Sequence, residues 1–327
     1  MEQPSKEIPL KAVDLQDLTF VITYAPNLES LRDSIAWVGL RHPPLVQRIS
    51  GTNRYRIICG YKRLRVLDAL GIEKITVQLA PPKDDLTLFL LGLHENLGTR
   101  ALNVVEKSLA LDKLAHQFRL KREKIVRDHL PALGLGSDPK TLDLYLSIST
   151  LKEQIREGLV TGDISISMAH RLSTLPQTDR LAFSQLITTL ALGKNLQREF
   201  LTLLADLSRI RKTSLSVLLD DQEIKALAED PKVQRPIRAR RVRDLLNRRR
   251  YPRLSQTADK FEELKKRLRL SAQLSLTAEP YFEGQDYRLT ATFHSREQLW
   301  AAVKALRSMA EDPALAELLE FPAQKRE

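Results

Sequence analysis

Apolar and polar positions fall into blocks whose spacing changes along the chain. Over residues 1–93 the blocks are short and mixed. Phe20-Val21-Ile22 and Leu45-Val46-Gln47-Arg48-Ile49 predict strands; Leu28, Leu31, Ile35 and Val38 predict one face of a helix between them, and Pro43-Pro44 a break. Arg54-Tyr55-Arg56-Ile57-Ile58-Cys59 alternates and then turns wholly apolar, as a strand entering a buried sheet does, and the turn Ser50-Gly51-Thr52-Asn53 makes it a hairpin partner of 45–49. Gly60 frees the backbone for a sharp exit. Leu64, Leu67 and Leu70 then recur at three-residue spacing, and Gly71 ends that helix. Ile75-Thr76-Val77-Gln78-Leu79 is a further strand, closed by Pro81-Pro82. A small α+β domain is the expectation for this part.

From Asp85 to about Glu229 the spacing is helical almost throughout. Asn103 and Glu106 stand in capping-box positions at one helix start, and Gly134-Leu135-Gly136, Gly158, Gly162 and Pro176 divide the rest. Lys121 to Leu133 and Pro139 to Ser147 read as two consecutive helices, the second with Asp138 as N-cap and Pro139 in its first position. After Thr257, Phe261, Leu264 and Leu268 mark a helix. Residues 272–277 and 287–293 alternate as strands about a turn at Gly284, and Ser295 with Gln298 opens a helix lined by Leu299, Val303 and Leu306. A hairpin with one or two helices buries little core by itself, so this module is expected to dimerise.

Charge changes the picture. Fifty-two basic against forty-one acidic residues give a net +11, which favours a polyanionic partner. Residues 235–253 hold nine arginines and one acid. Such a run is either a solvated linker or a polybasic arm for phosphate backbones. Lys62, Arg63 and Arg65 follow Gly60 directly, so three cations and the positive end of a helix converge on one anion site, with phosphate the natural occupant. An aromatic content of 6% argues against base stacking on aromatic platforms. Cys59 is the one cysteine, which excludes an internal disulfide; none of the six histidines has metal-motif spacing, and no GxxxxGK[ST] loop occurs. The first 18 residues lack an apolar signal core, and no apolar run is long enough to span a membrane, so the cytoplasm is the expected compartment.

Four blocks together carry a resemblance to ParB-type chromosome and plasmid partition proteins: SIAWVGLRHPPLVQR (34–48), YRIICGYKRLRV (55–66), ENLGTRALNVVE (95–106) and LYLSISTLKEQIREGLVTGDISISMAHRL (144–172). The resemblance implies three things about fold: an α+β N-terminal domain of the ParB/sulfiredoxin type, an all-α helix-turn-helix domain and a small α/β C-terminal dimerisation module. The expected bounds are 1–93 for nucleotide binding, 94–230 for the helix-turn-helix, 231–257 for a basic linker and 258–327 for dimerisation. It also implies CTP with magnesium, nucleotide held by Gly60, Lys62, Arg63, Arg65, Glu95, Asn96 and Arg100, and the metal by Glu95 and Asn96, hard oxygen ligands suited to a cation bridging phosphates. Gly39 and Pro43-Pro44 would shape the wall facing the base.

Double-stranded DNA would be read by Lys140, Thr141 or Tyr145 and gripped by Arg240, Arg241, Arg248, Arg249 and Arg250, in a nucleoid-associated homodimer with a ParA-type ATPase as partner. Two departures from the family motifs GERRxRA and ENxxRxxLxxxE stand out. Tyr61 replaces the glutamate implicated in turnover, and Thr99 replaces the arginine, with Arg100 displaced by one. A tyrosine, with an ordinary pKa of about 10, is a poor substitute for a carboxylate. Holding CTP is therefore expected, with weak or absent hydrolysis. Rival readings on the same N-terminal fold are a free-serine kinase, with Glu95 as the one obvious carboxylate, a sulfiredoxin, whose cysteine would fall at Tyr61, and a nucleotide-free adaptor.

Overall fold

The structure, a computed structural model, describes residues 5–279, 282 and 286–320. Its contacts divide the chain into two compact units, Met1–Arg198 and Glu199–Glu327.

The first unit opens with a four-stranded sheet of β1 (Ser5–Pro9), β2 (Leu45–Arg48), β3 (Tyr55–Cys59) and β4 (Lys74–Leu79), in spatial order β1-β4-β2-β3. β2 and β3 form the expected antiparallel hairpin, with an irregularity between Leu45 and Val46, while β2 runs parallel to β4 and β1 pairs antiparallel with β4. Helices α1 (Glu29–Val38) and α2 (Tyr61–Ala69) pack with the sheet around Ile35, Val46, Ile57, Leu64, Leu67 and Val77. One expectation fails here: Phe20-Val21-Ile22 is buried but forms no strand. β1, whose only buried residue is Ile8, carries too little alternation to be read from sequence.

α3 (Asp85–Thr99) lies on β3, and a close approach makes this possible: a Cβ added to Gly92 would stand 2.5 Å from the carbonyl oxygen of Ile58. α4 (Val104–Asp112) begins with the full capping box of Asn103 and Glu106 and continues into a π-helical turn at Lys113–Gln117. α5 (Arg122–Lys124), a π-helical turn (Ile125–His129) and α6 (Leu130–Ala132) form one helical run, which is the expected first helix. α7 (Pro139–Ser149) is the expected second one, capped by Asp138, whose side chain accepts from Thr141 N. α7 packs on α4, where the Ser108 hydroxyl donates to Tyr145 O at 2.7 Å. α8 (Glu153–Thr161), α9 (Ile166–Ser173) and α10 (Gln177–Leu190) follow, and α11 (Lys194–Arg211) spans the division.

In the second unit, α12 (Leu215–Leu219), α13 (Gln222–Glu229), α14 (Arg235–Arg250) and α15 (Pro252–Arg267) are consecutive helices. The stretch expected as a basic linker is thus helical: Ala239, Val242 and Leu246 recur at three- and four-residue spacing and are buried, which gives the arginine run one apolar seam. β5 (Leu274–Ala278) and β6 (Tyr287–Ala291) pair antiparallel, and α16 (Arg296–Ala310) opens at Ser295 as expected, followed by α17 (Pro313–Glu320). The turn expected at Gly284 lies outside the described residues. Phe261, Leu264, Leu268, Leu276 and Leu318 form this module's core. Leu299 and Val303, expected with Leu306 to line one side of this helix, are exposed.

Candidate nucleotide site

The end of β3 and the start of α2 carry the site. Gly60, the N-cap of α2, sits at φ 95°, and its missing side chain leaves the first-turn N–H groups without a side-chain cap. A Cβ there would lie 2.9 Å from Pro44 Cβ. This open positive helix end faces a cavity of about 390 Å³, and Gly60, Lys62, Arg63, Glu95, Asn96 and Arg100 all line it. Phe20 to Thr23, Leu31, His42 and Thr99 complete much of the wall. None of these had been singled out as ligand-facing, because nothing in a local apolar run tells a cavity wall from a strand.

Arg63 and Arg100 are already oriented by their neighbours. Arg63 donates through Nη1 to the carbonyl of His42, and its Nη2 lies 3.6 Å from Glu95 Oε1. Burial, with the positive Arg100 nearby, pushes the Lys62 ammonium below the usual lysine range, opposed by Glu106. Burial first, and then the neighbouring Glu95, pushes the Cys59 thiol up to about 12, which makes it a core residue of the wall rather than a nucleophile. Asn96 donates to Gly92 O at 2.7 Å and accepts at 3.3 Å from Arg100 Nε.

Arg65 is not in the cavity wall. One turn beyond Tyr61, it is exposed, donates to the Tyr61 hydroxyl at 3.1 Å and stands over that ring. Tyr61 therefore both replaces a carboxylate and draws one expected clamp residue away. Thr99 uses its hydroxyl on its own helix, donating to Glu95 O at 3.0 Å. Arg100 is the C-cap of α3 with an extended backbone, φ −159° and ψ 158°, so the displaced arginine still reaches the cavity.

The expected DNA-facing residues divide similarly. Lys140 is exposed on the first turn of α7, whereas the Thr141 hydroxyl donates to Asp138 at 2.5 Å and Tyr145 is 6% exposed, packed too deep to touch a base. Arg122 bonds Asp143 at 2.6 Å and neutralises that acid on α7. On α14, Arg241 is exposed, and Arg240 and Arg248 have loose partners at 3.9 and 3.7 Å. Arg249 and Arg250 are committed internally, to Asp221 and Glu223 at 2.9 and 2.6 Å and to Asp206 at 3.2 Å. They hold the helices together rather than standing free for phosphate.

Residues 2–97 match the ParB N-terminal domain family. A probable chromosome-partitioning protein ParB of Neisseria meningitidis serogroup A is 31% identical over 158 residues, 48% of this chain and 52% of that protein. The corresponding protein of Chlamydia pneumoniae is 33% identical over 152 residues, 46% and 51% of the two chains. The chain thus spans about half the length of the curated relatives it matches. Among solved structures, the C-terminally truncated ParB of Caulobacter crescentus complexed with CTP-γ-S is similar at 23% identity and a TM-score of 0.27, covering 57% of this chain and 99% of that one. No helix among the described residues is long and apolar enough to cross a membrane.

Proposed function

We propose, on the premise that this chain carries a ParB N-terminal domain and is ParB-like, that it is a DNA-binding partition protein gated by CTP and magnesium. The observation that carries the nucleotide part is the cavity itself, where Lys62, Arg63 and Arg100 meet the uncapped start of α2 with one exposed carboxylate, Glu95, at the wall. Each charge-assisted contact to a phosphate oxygen would contribute roughly 1.5–3 kcal/mol. Glu95 suits a hard divalent cation shared with a polyphosphate, which would neutralise charge on the bound nucleotide. Asn96 fits that role less directly, since its carbonyl oxygen is turned to Arg100; it orients the arginine instead.

The Tyr61 hydroxyl is engaged by Arg65, and Glu95 is the only carboxylate in the wall among the described residues, so slow or absent CTP cleavage goes with this reading. DNA binding is assigned to the two helical runs at 122–132 and Pro139–Ser149 and to the exposed arginines of α14, homodimerisation to the C-terminal module, and a ParA-type ATPase to the partners, in a nucleoid-associated protein of the cytoplasm. Calorimetric titration with the four nucleoside triphosphates, with magnesium and duplex DNA present, tests the nucleotide part. Binding of CTP in preference to the others is the expected result, and no heat at millimolar CTP overturns it. Phosphoserine formed from serine and ATP or ADP would transfer the site to a kinase.

A further inference from the structure

Glu106 is 2% exposed and lies behind the cavity wall. Three donors from three chain segments converge on its carboxylate: Tyr24 N at 3.3 Å, Asn103 N at 3.0 Å and Arg100 Nη1 at 2.6 Å. Tyr24 directly follows the Phe20–Thr23 wall, Asn103 caps α4, and Arg100 ends α3. The guanidinium of Arg100 is thereby fixed on two edges, by Asn96 at Nε and by Glu106 at Nη1. Its remaining nitrogen, Nη2, is buried and has no hydrogen-bond partner among the described residues, in a side chain that lines the cavity. A buried donor left unmade costs free energy that a ligand acceptor would recover.

We propose that Glu106 is a positioning residue for the anionic ligand: it holds Arg100 in the cavity wall with Nη1 on the carboxylate, and Nη2, closed to solvent and unpartnered among the described residues, gains a ligand phosphate oxygen as its acceptor on binding. The planar fork of arginine allows this division, two nitrogens anchored and the third left for the ligand; a lysine ammonium, a single point of charge, has no such rigid set of donors. It also explains how an arginine one residue out of the family pattern still serves the cavity. The inference rests on the polyphosphate reading of the cavity but not on which nucleotide occupies it.

The test uses the full chain with two probes, CTP with magnesium and inorganic tripolyphosphate, and the variants Glu106→Gln, Arg100→Lys, Arg100→Ala and Arg100→Ala/Glu106→Gln. Glutamine keeps one acceptor oxygen, enough for Asn103 N at the capping box, so Glu106→Gln keeps the start of α4, while its amide NH2 replaces the oxygen that accepts from Tyr24 N. It replaces a charge-assisted bond with a neutral one, and binding of both probes is expected to weaken about tenfold. Arg100→Lys, which leaves the capping box untouched, is expected to lose as much. In the Arg100→Ala background, Glu106→Gln is expected to cost nothing further, a coupling that a purely structural role would not produce. Tighter binding in Glu106→Gln, or the same loss with and without Arg100, overturns the proposal. Wild-type binding of tripolyphosphate without CTP would leave this inference standing and remove CTP from the reading; binding of neither probe removes both.

Discussion

At the scale of single residues, the cavity depends on groups held away from their ordinary states. Lys62 is pushed below the usual lysine range by burial and by Arg100. A bound phosphate stabilises the ammonium, so the group's pKa is higher in the complex than in the free protein, and binding takes up proton near the free-state value. Polyphosphate affinity is therefore expected to fall as pH rises through that depressed value, below the about 10.4 of an ordinary lysine. Lys62→Arg keeps its charge throughout and is expected to flatten the profile. Titrations carried from pH 7 up past the ordinary lysine value of about 10.4 read the difference, and a wild-type affinity that does not change over that range contradicts the role. Gly60→Ala probes the other residue. It puts a side chain at φ 95°, 2.9 Å from Pro44 Cβ. A cost of about 1–3 kcal/mol is expected, seen as a lower melting temperature together with lost nucleotide binding.

At the scale of elements, the decisive contact is α3 against β3. Replacing a mid-helix glycine by alanine ordinarily gains about 1 kcal/mol of helix propensity. At Gly92 the new methyl would stand 2.5 Å from Ile58 O, and overpacking of that kind costs about 1–3 kcal/mol. The steric effect wins, so Gly92→Ala is expected to lower the melting temperature and, by moving α3 outward, to separate Glu95 and Asn96 from Lys62 and weaken CTP binding. A stabilised protein with unchanged affinity would show that the helix yields freely. Elements whose signals are local were legible from sequence: the 45–59 hairpin, the glycine exit into α2, the capping box of Asn103 and Glu106, and the N-cap at Ser295. What was not legible depends on distant partners. Phe20-Val21-Ile22 looks like a strand because its residues suit one, yet it is buried as a wall, with Phe20 beneath Arg56 and beside Phe118. The pairing of Tyr24 with Glu106 crosses 82 residues of sequence and leaves no periodic trace. α14 was hidden by its arginines, since charge outweighs the thin seam of Ala239, Val242 and Leu246.

At the scale of the whole molecule, a net +11 says that polyanions are favoured but not which cations meet them. The arginines of α14 separate into two kinds, and two substitutions should separate likewise. Arg241→Ala removes an exposed charge: the dependence of log affinity for duplex DNA on log salt is expected to flatten by about 0.9 while melting is unchanged. Arg249, 16% exposed and bonded to two acids, including the N-cap of α13, is a clamp between helices. Arg249→Ala is expected to cost about 1–2 kcal/mol of stability, more than an exposed ion pair, with little change in the salt slope.

The C-terminal module adds the last expectation. Among the described residues its sheet has two strands, too few for much independent stability, and Leu289, Phe293, Leu299, Trp300 and Val303 are exposed beside a core of five buried residues. Burying that apolar face in a second copy would supply what the module lacks by itself. Trp300, at 64% exposure, contributes little to the single chain, so Trp300→Glu should break self-association and lower the melting of the module only by what the second copy contributes, making it independent of protein concentration. Sedimentation at tens of micromolar is expected to give a dimer for the wild type and a monomer for the variant; a wild-type monomer overturns the dimer, and a variant that still dimerises places the interface elsewhere.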